Sequence, residues 1–269
     1  MAESSGVPVR DASTVVLVRD GADEIEVFLQ RRVKQMAFAG GMTVFPGGGV
    51  DPRDRDADIR WVGPEVDFWA EVFSTDEASA RALVCAAVRE TFEECGVLLA
   101  GTADTVHDDP ASLFSERARL EAKEISLGEF LTAQGLVLRA DLLRPLAHWI
   151  TPENESRRYD TRFFLASMPE SQEADGETSE AAETKWMSAA AAIDDWDAGK
   201  HFLLPPTWTQ LRYIASFTNV ADLLAAQRDI TAIQPAVGDG SGVAGLRFAD
   251  SDSYLEALSD GRVQRDFSL

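Results

Sequence analysis

Apolar and polar positions along the chain fall into two periods. From Thr14 to Arg19 and from Ile25 to Arg31 the residues are β-branched and apolar, and Asp20-Gly21-Ala22-Asp23 between them predicts a hairpin. Met42 to Phe45 predicts a short strand that runs into a Gly47-Gly48-Gly49 turn. A helical period then takes over. Ser74-Thr75-Asp76-Glu77 has the spacing of a capping box, and Gly96 suits the position after a helix end, so one helix is predicted between them. Pro110 opens a further helix to about Glu124, and Ser126 caps another to about Gln134. Leu142 to Ile150, Thr161 to Ala166 and Lys185-Trp186-Met187 return to strand character, and Pro206 to about Gln227 predicts a long last helix. Between the late strands, residues 169–184 carry six acidic and no basic residues, which predicts a mobile acidic loop. Strands flanking one helix, with a late helix behind, fit an α/β or α+β protein.

The helix ending at Gly96 carries the most informative chemistry. At about 100° per residue, Glu90, Glu93 and Glu94 share one arc, and Val84, Ala87, Val88, Thr91, Phe92 and Cys95 share the opposite one. Like charges at these spacings repel, so a cation or a basic partner must offset them. Two readings are open. One is a solvated acidic face with an Arg89 to Glu93 pair; the other is a site for a hard divalent ion, Mg²⁺ or Mn²⁺.

A second motif bears on that choice. Phe45-Pro46-Gly47-Gly48, taken with Arg89-Glu90-Thr91-Phe92-Glu93-Glu94-Cys95-Gly96-Val97, resembles the box of the Nudix hydrolases, G-x5-E-x7-R-E-U-x-E-E-x-G-U with U a bulky aliphatic residue. Thr91 is the one departure in the second half. In the first half Asp54 stands where the box has glutamate, and Gly48 and Arg89 are 41 residues apart. The box separates them by only 14. The excess reads as an insertion over residues 55–80, and Trp61, Phe68, Trp69 and Phe73 predict that it folds onto the body. The resemblance implies an α/β/α sandwich on a mixed β-sheet with helical insertions. Residues 1–230 would form the Nudix domain and 231–269 a C-terminal tail, joined through the flexible Gly238 to Gly242.

By the same resemblance Glu90, Glu93 and Glu94 would ligate the metal, the Gly47 carbonyl would add a ligand, and Arg89 would orient the box carboxylate. Asp54 is carried over only as a residue supporting those ligands. The implied reaction is hydrolysis of the diphosphate linkage in a nucleoside diphosphate derivative, with coenzyme A or an acyl derivative as one reading of the substrate; ADP-ribose, a dinucleotide or a nucleotide sugar, or a catalytically silent binding protein on the same fold, are the others. The general base is left open among Glu180, Glu183, Glu153 and Glu155.

The interrupted box, with Trp149-Ile150-Thr151-Pro152, Arg157 to Phe164 and Pro205-Pro206, resembles in particular the peroxisomal coenzyme A diphosphatases of animals and their bacterial relatives. Of the upstream signature of coenzyme A enzymes, Leu29, Arg32, Gly41 and Phe45 to Gly48 match, whereas Gln30, Val33 and Ala37 replace threonine, serine and arginine. Arg32, Arg157 and Arg158 are the candidates to contact substrate phosphates. For the last two, a strand-edge pair facing the acidic loop is the other reading.

Composition sets the bounds. A chain of 269 residues that is 45% hydrophobic can bury a sizeable core. Its net charge of −21 argues against a duplex nucleic acid partner but leaves a small nucleoside diphosphate derivative open. No apolar run approaches the roughly 18 residues of a membrane span, and the N-terminus lacks a basic region followed by an apolar stretch. Cys85 and Cys95 would lie roughly 15 Å apart on one helix, too far to bridge. These features predict a soluble protein in a reducing, cytoplasmic setting, and they leave a homodimer open.

Overall fold

The structure, a computed structural model, describes residues 7–34, 39–55, 59–178, 180–238 and 242–259. Ala37 therefore lies outside the described residues. The molecule is organised around β1, Val9–Asp20, whose Val15, Val16, Leu17 and Val18 are all fully buried. A run of four apolar residues in one strand signals burial on both faces. Val15 and Leu17 enter one core cluster, whereas Val16 and Val18 enter the other. This alternation makes the protein a three-layer α/β/α sandwich, as the resemblance implied.

The hairpin partner of β1 is β2, Ile25–Arg32, with Asp20 opposite Ile25. Two short strands follow, β3 at Thr43–Val44 and β4 at Gly47–Gly49. The latter pairs antiparallel with β1, so the three glycines form a strand where a turn was predicted. Residues of the insertion supply β5, Trp61–Val62, and α1, Val66–Val72. Trp69 and Phe73 are buried against Phe164, while Phe68 stays 40% exposed. Next comes α2, Glu77–Cys95. Its cap is Asp76, which accepts the Ser79 N–H, and Ser74 sits at φ 51° instead of capping. Gly96 ends the helix as predicted. Cys85 and Cys95 are buried within it and form no disulfide.

Beyond α2 lie β6, Ala100–Gly101; α3, Phe114–Glu121; α4, Leu127–Gln134; and β7, Val137–Arg139. A three-stranded sheet in the order β5-β7-β6 stitches the insertion to this region through backbone pairing. The main sheet is completed by β8, Leu143–Ile150; β9, Arg158–Ser167; and β10, Ala181–Ser188. Next come α5, Ala189–Asp197; α6, Pro205–Ile214; and α7, Val220–Ala225. The predicted last helix thus divides in two, because Asn219 accepts the Asp222 N–H and starts a new helix. The chain continues through β11, Ala232–Ile233; β12, Ala236–Val237; β13, Leu246–Arg247; and α8, Ser251–Ser259. Strand order in the main sheet is β10-β2-β1-β9-β8-β11, with β3 and β4 paired off this path. The β1–β9 and β8–β11 pairs are parallel, the others antiparallel, giving a mixed sheet.

The acidic segment is not a loose loop. Gln172 is buried and exchanges hydrogen bonds with the backbone of Leu98, and Asp175 pairs with Arg117 at 2.7 and 2.9 Å. From Ala181 onward it is strand, with Glu183 paired to Arg31. The basic partners absent from the segment come from elsewhere in the chain.

Candidate active site

Helix α2 is laid on β1 through packing and through the Ser13 hydroxyl, which donates to the Leu83 carbonyl. This fixes the carboxylate arc against the glycine strand. A Cβ at Gly48 would sit 2.6 Å from the Glu90 carboxyl, and one at Gly47 would meet the Ser13 carbonyl at 2.4 Å. Glycine is required at Gly47, where the β1 backbone leaves no room for a side chain, and at Gly48 a side chain would displace the Glu90 carboxyl. Thr91, the departure from the box, is fully buried, and its hydroxyl is satisfied by the Ala87 carbonyl one turn back.

The arc is buried. Glu93 is 9% and Glu94 4% exposed, which excludes the solvated acidic face. One guanidinium holds much of it together. Arg89 Nη1 donates to Glu90 Oε1 at 2.8 Å and to Glu93 Oε2 at 3.0 Å. Its Nε and Nη2 fork onto the two oxygens of Asp54 at 3.1 and 3.0 Å, and Nη2 also reaches the Gly49 carbonyl. Asp54 is 1% exposed and lies in a 3₁₀ turn, Pro52–Arg55, packed on α2. The shorter residue therefore meets the arginine directly. Glu94 is held separately, accepting from the Gly47 N–H at 2.9 Å and from the Gln30 side chain.

Burial and crowding move these groups. Burial, then neighbouring Glu90, pushes Glu94 up to about 8. Burial likewise raises Glu93 to about 7 although Arg89 opposes the shift, and it raises Glu90 and Asp54 as well. A carboxylate cluster in this condition favours a cation. The Glu93 Oε1 atom is buried with no hydrogen-bond partner among the described residues, and the donors are hard oxygens, so the chemistry suits Mg²⁺ or Mn²⁺. Among those residues, however, no three His, Cys, Asp or Glu groups stand ready as a metal cluster. Arg89 engages Glu90 and Glu93, and Gln30 engages Glu94.

The arc opens into a cavity of about 610 Å³. Gly47, Glu90, Glu93, Glu94, Arg89 and Arg32 all line it. Of the candidate bases, Glu180 and Glu155 line it too, whereas Glu183 faces Arg31 outside and Glu153 meets Gln234. Glu180 is paired with Arg32 at 2.9 Å and its charge is felt at Glu90. Arg157 and Arg158 do not line the cavity. On β9 it is Tyr159, Thr161 and Phe163 that face it, so strand alternation turns Arg158 away, where its Nε donates to the Thr151 carbonyl. The sequence reading missed Arg10, Lys123, Pro235 and Leu246, all in the cavity wall. It read Gln30 only as a departure from the coenzyme A signature and missed that this residue is buried on β2, where it holds Glu94.

Comparison with known proteins bears on this geometry. The family model of the NUDT19 Nudix domain matches residues 70–214, more than half of the chain. The chain belongs to this Nudix family. Relatives named acyl-coenzyme A diphosphatase NUDT19 include the following two. The Xenopus laevis protein is 22% identical over 243 residues, 76% of this chain and 63% of its own length. The human protein is 26% identical over 240 residues, 75% of this chain and 64% of its own. The chain thus spans a little under two thirds of these relatives. A crystal structure of a Nudix hydrolase from Alicyclobacillus acidocaldarius superposes with a TM-score of 0.71 at 29% identity, covering 83% of this chain and 98% of that one. The Nudix fold is thereby shown.

Proposed function

We propose that this chain hydrolyses the diphosphate linkage of a nucleoside diphosphate derivative, with coenzyme A or an acyl-coenzyme A as substrate. The observation that carries this reading is the arc of Glu90, Glu93 and Glu94 opening into a cavity lined by both charged and apolar residues. The relatives named acyl-coenzyme A diphosphatase support the choice of substrate.

Glu90, Glu93 and Glu94, with the Gly47 carbonyl, would hold Mg²⁺ or Mn²⁺. Bound there, the ion supplies charge neutralisation on the diphosphate and acidifies water. Arg89 positions Glu90 and Glu93, and Asp54 fixes Arg89. Glu180 is the candidate to accept the proton of the attacking water, because it faces the arc and Arg32 orients it. The water oxygen bonds to phosphorus as the bridging P–O bond breaks, and the leaving phosphate departs past Arg32, Arg10 and Lys123. These cations hold the substrate's phosphates in an otherwise acidic protein. Among the described residues no helix is long and apolar enough to cross a membrane.

The test is a substrate panel with Mg²⁺ and with Mn²⁺: coenzyme A, acyl-coenzyme A, ADP-ribose, a dinucleotide and a nucleotide sugar. Cleavage of the coenzyme A compounds to a nucleotide and a phosphopantetheine is expected. Faster cleavage of ADP-ribose or a nucleotide sugar would replace the substrate assignment. No cleavage of any compound would make the chain a binding protein on a Nudix fold.

A further inference from the structure

The last turn of α2, which carries the carboxylates, is closed by groups from two other parts of the chain. A helix leaves its final carbonyls without partners inside the helix. Here the Gly96 N–H donates to the Phe92 carbonyl, Arg117 Nε donates to the Glu93 carbonyl at 3.1 Å, and the Asp175 N–H donates to the Cys95 carbonyl at 2.9 Å. Arg117 stands on α3 and is 5% exposed. Its Nη1 and Nη2 fork onto the two Asp175 oxygens, and Nη2 also reaches the Glu177 carbonyl at 3.3 Å. One guanidinium therefore joins the end of α2 to the acidic segment. Gly96 makes room for the pair: a Cβ there would sit 2.4 Å from an Asp175 oxygen and 2.9 Å from Arg117 Nη1.

Glu180 follows Asp175 by five positions, a reach of about 17 Å at full extension. Local bonds shorten it. Asp175 Oδ1 accepts the Glu177 N–H, the Thr178 N–H donates to the Gly176 carbonyl, and the Thr178 hydroxyl accepts the Glu180 N–H. On its other side Glu180 accepts the Val33 N–H at its carbonyl and pairs with Arg32 through its carboxylate. Glu180 is thus fastened to β2 and the residue after it on one side and, through Asp175 and Arg117, to the end of α2 on the other. Neither Arg117 nor Asp175 lines the cavity, so neither is placed to touch a substrate held there.

We infer that Arg117 and Asp175 are positioning residues, whose ion pair sets the place of Glu180 relative to the carboxylates of α2. This rests on the proposed reading, in which Glu180 accepts the proton of the attacking water. A base on a loosened segment meets that water less often, so breaking the pair lowers kcat and leaves KM nearly unchanged.

The experiment has two readouts. Hydrogen exchange without substrate should find the Asp175 and Glu177 amides protected in the wild type, and their protection about five- to tenfold lower in Asp175→Asn. Kinetics with Mg²⁺ on coenzyme A, or on the panel compound cleaved fastest, then compare the wild type, Arg117→Ala, Asp175→Asn, Glu180→Gln and the Asp175→Asn/Glu180→Gln double variant. Asp175→Asn should lower kcat about ten- to thirtyfold with KM within about twofold. In the Glu180→Gln background the same change should cost under about twofold, because no base is left to position. Arg117→Ala should lose at least as much as Asp175→Asn; should it fail to fold, Asp175→Asn carries the test, since its side chain is 40% exposed. An equal cost of Asp175→Asn in both backgrounds overturns the inference, as does a wild-type kcat in Asp175→Asn. A wild-type rate in Glu180→Gln overturns it too, while leaving the hydrolysis standing. If the wild type cleaves nothing, the hydrolysis falls and the exchange data decide the clamp: Asp175 and Glu177 amides exchanging as fast as an unstructured chain overturn it.

Discussion

Two parts of the cavity wall are made in opposite ways. In the carboxylate part, Arg89, Glu90, Glu93 and Glu94 come from little more than one turn of α2, so their juxtaposition follows from helix geometry and is written in consecutive residues. In the apolar part of the wall, Trp149, Pro235 and Leu246 come from β8 and the C-terminal segment, and no short motif links them. The difference teaches where each part is vulnerable. A single substitution in α2 removes charge from a buried, crowded network, whereas one in the wall removes only a share of apolar contact.

The largest effect is expected where that network has its hub. Arg89→Ala leaves Asp54, Glu90 and Glu93 buried without their counter-charge and should cost about 3–5 kcal/mol of stability, read by urea unfolding. Arg89→Lys should not restore it, because one ammonium cannot serve three carboxylates and the Gly49 carbonyl. A loss under about 1 kcal/mol in Arg89→Ala would show that the arc is not held by this arginine.

Next in size is the chemistry. Glu93→Gln or Glu94→Gln should lower turnover by roughly two or more orders of magnitude while the fold persists. Near-wild-type rates in both variants at limiting Mg²⁺ would remove these residues from the metal site.

Phosphate reading follows. Arg32→Ala should reduce catalytic efficiency on coenzyme A by about ten- to a hundredfold, the size of one charge-assisted contact, roughly 1.5 to 3 kcal/mol. Comparing coenzyme A with its 3′-dephospho form assigns that contact: loss of the preference in Arg32→Ala places it at the 3′-phosphate, and an equal loss on both places it at the diphosphate or at Glu180, which Arg32 orients.

A subtler probe is Asp54→Glu, which restores the residue of the Nudix box. The site is 1% exposed and already filled by a bidentate pair, so the added methylene should cost about 1–3 kcal/mol in thermal or urea unfolding. Unchanged or raised stability would mean that the turn can retreat to admit the longer side chain. The smallest effect is expected for Arg157→Ala and Arg158→Ala, each within about twofold of the wild-type efficiency because neither lines the cavity. A tenfold loss in either would return these arginines to the substrate site.

By itself the sequence determined what depends on neighbours along the chain. The hairpin of β1 and β2, the end of α2 at Gly96, the shared arc of Glu90, Glu93 and Glu94 and the Nudix character of the glycines before them were all legible, because helix period, strand period and turn chemistry act over a few residues. What the tertiary structure decided is what depends on distant partners. Only the fold brings Asp54 to Arg89 across the insertion, and Gln30 of β2 to Glu94. It also gives the acidic segment its basic partners Arg117, Arg32 and Arg31, and turns Arg158 away from a cavity that its sequence neighbour Tyr159 lines. Strand alternation can be counted in a sequence, but which face meets the cavity depends on the layers packed around the sheet. The C-terminal wall is the extreme case, since Leu246 reaches the cavity through the anchoring of Tyr254 on Trp196 and Leu203, contacts between residues about 50 positions apart that no local pattern encodes.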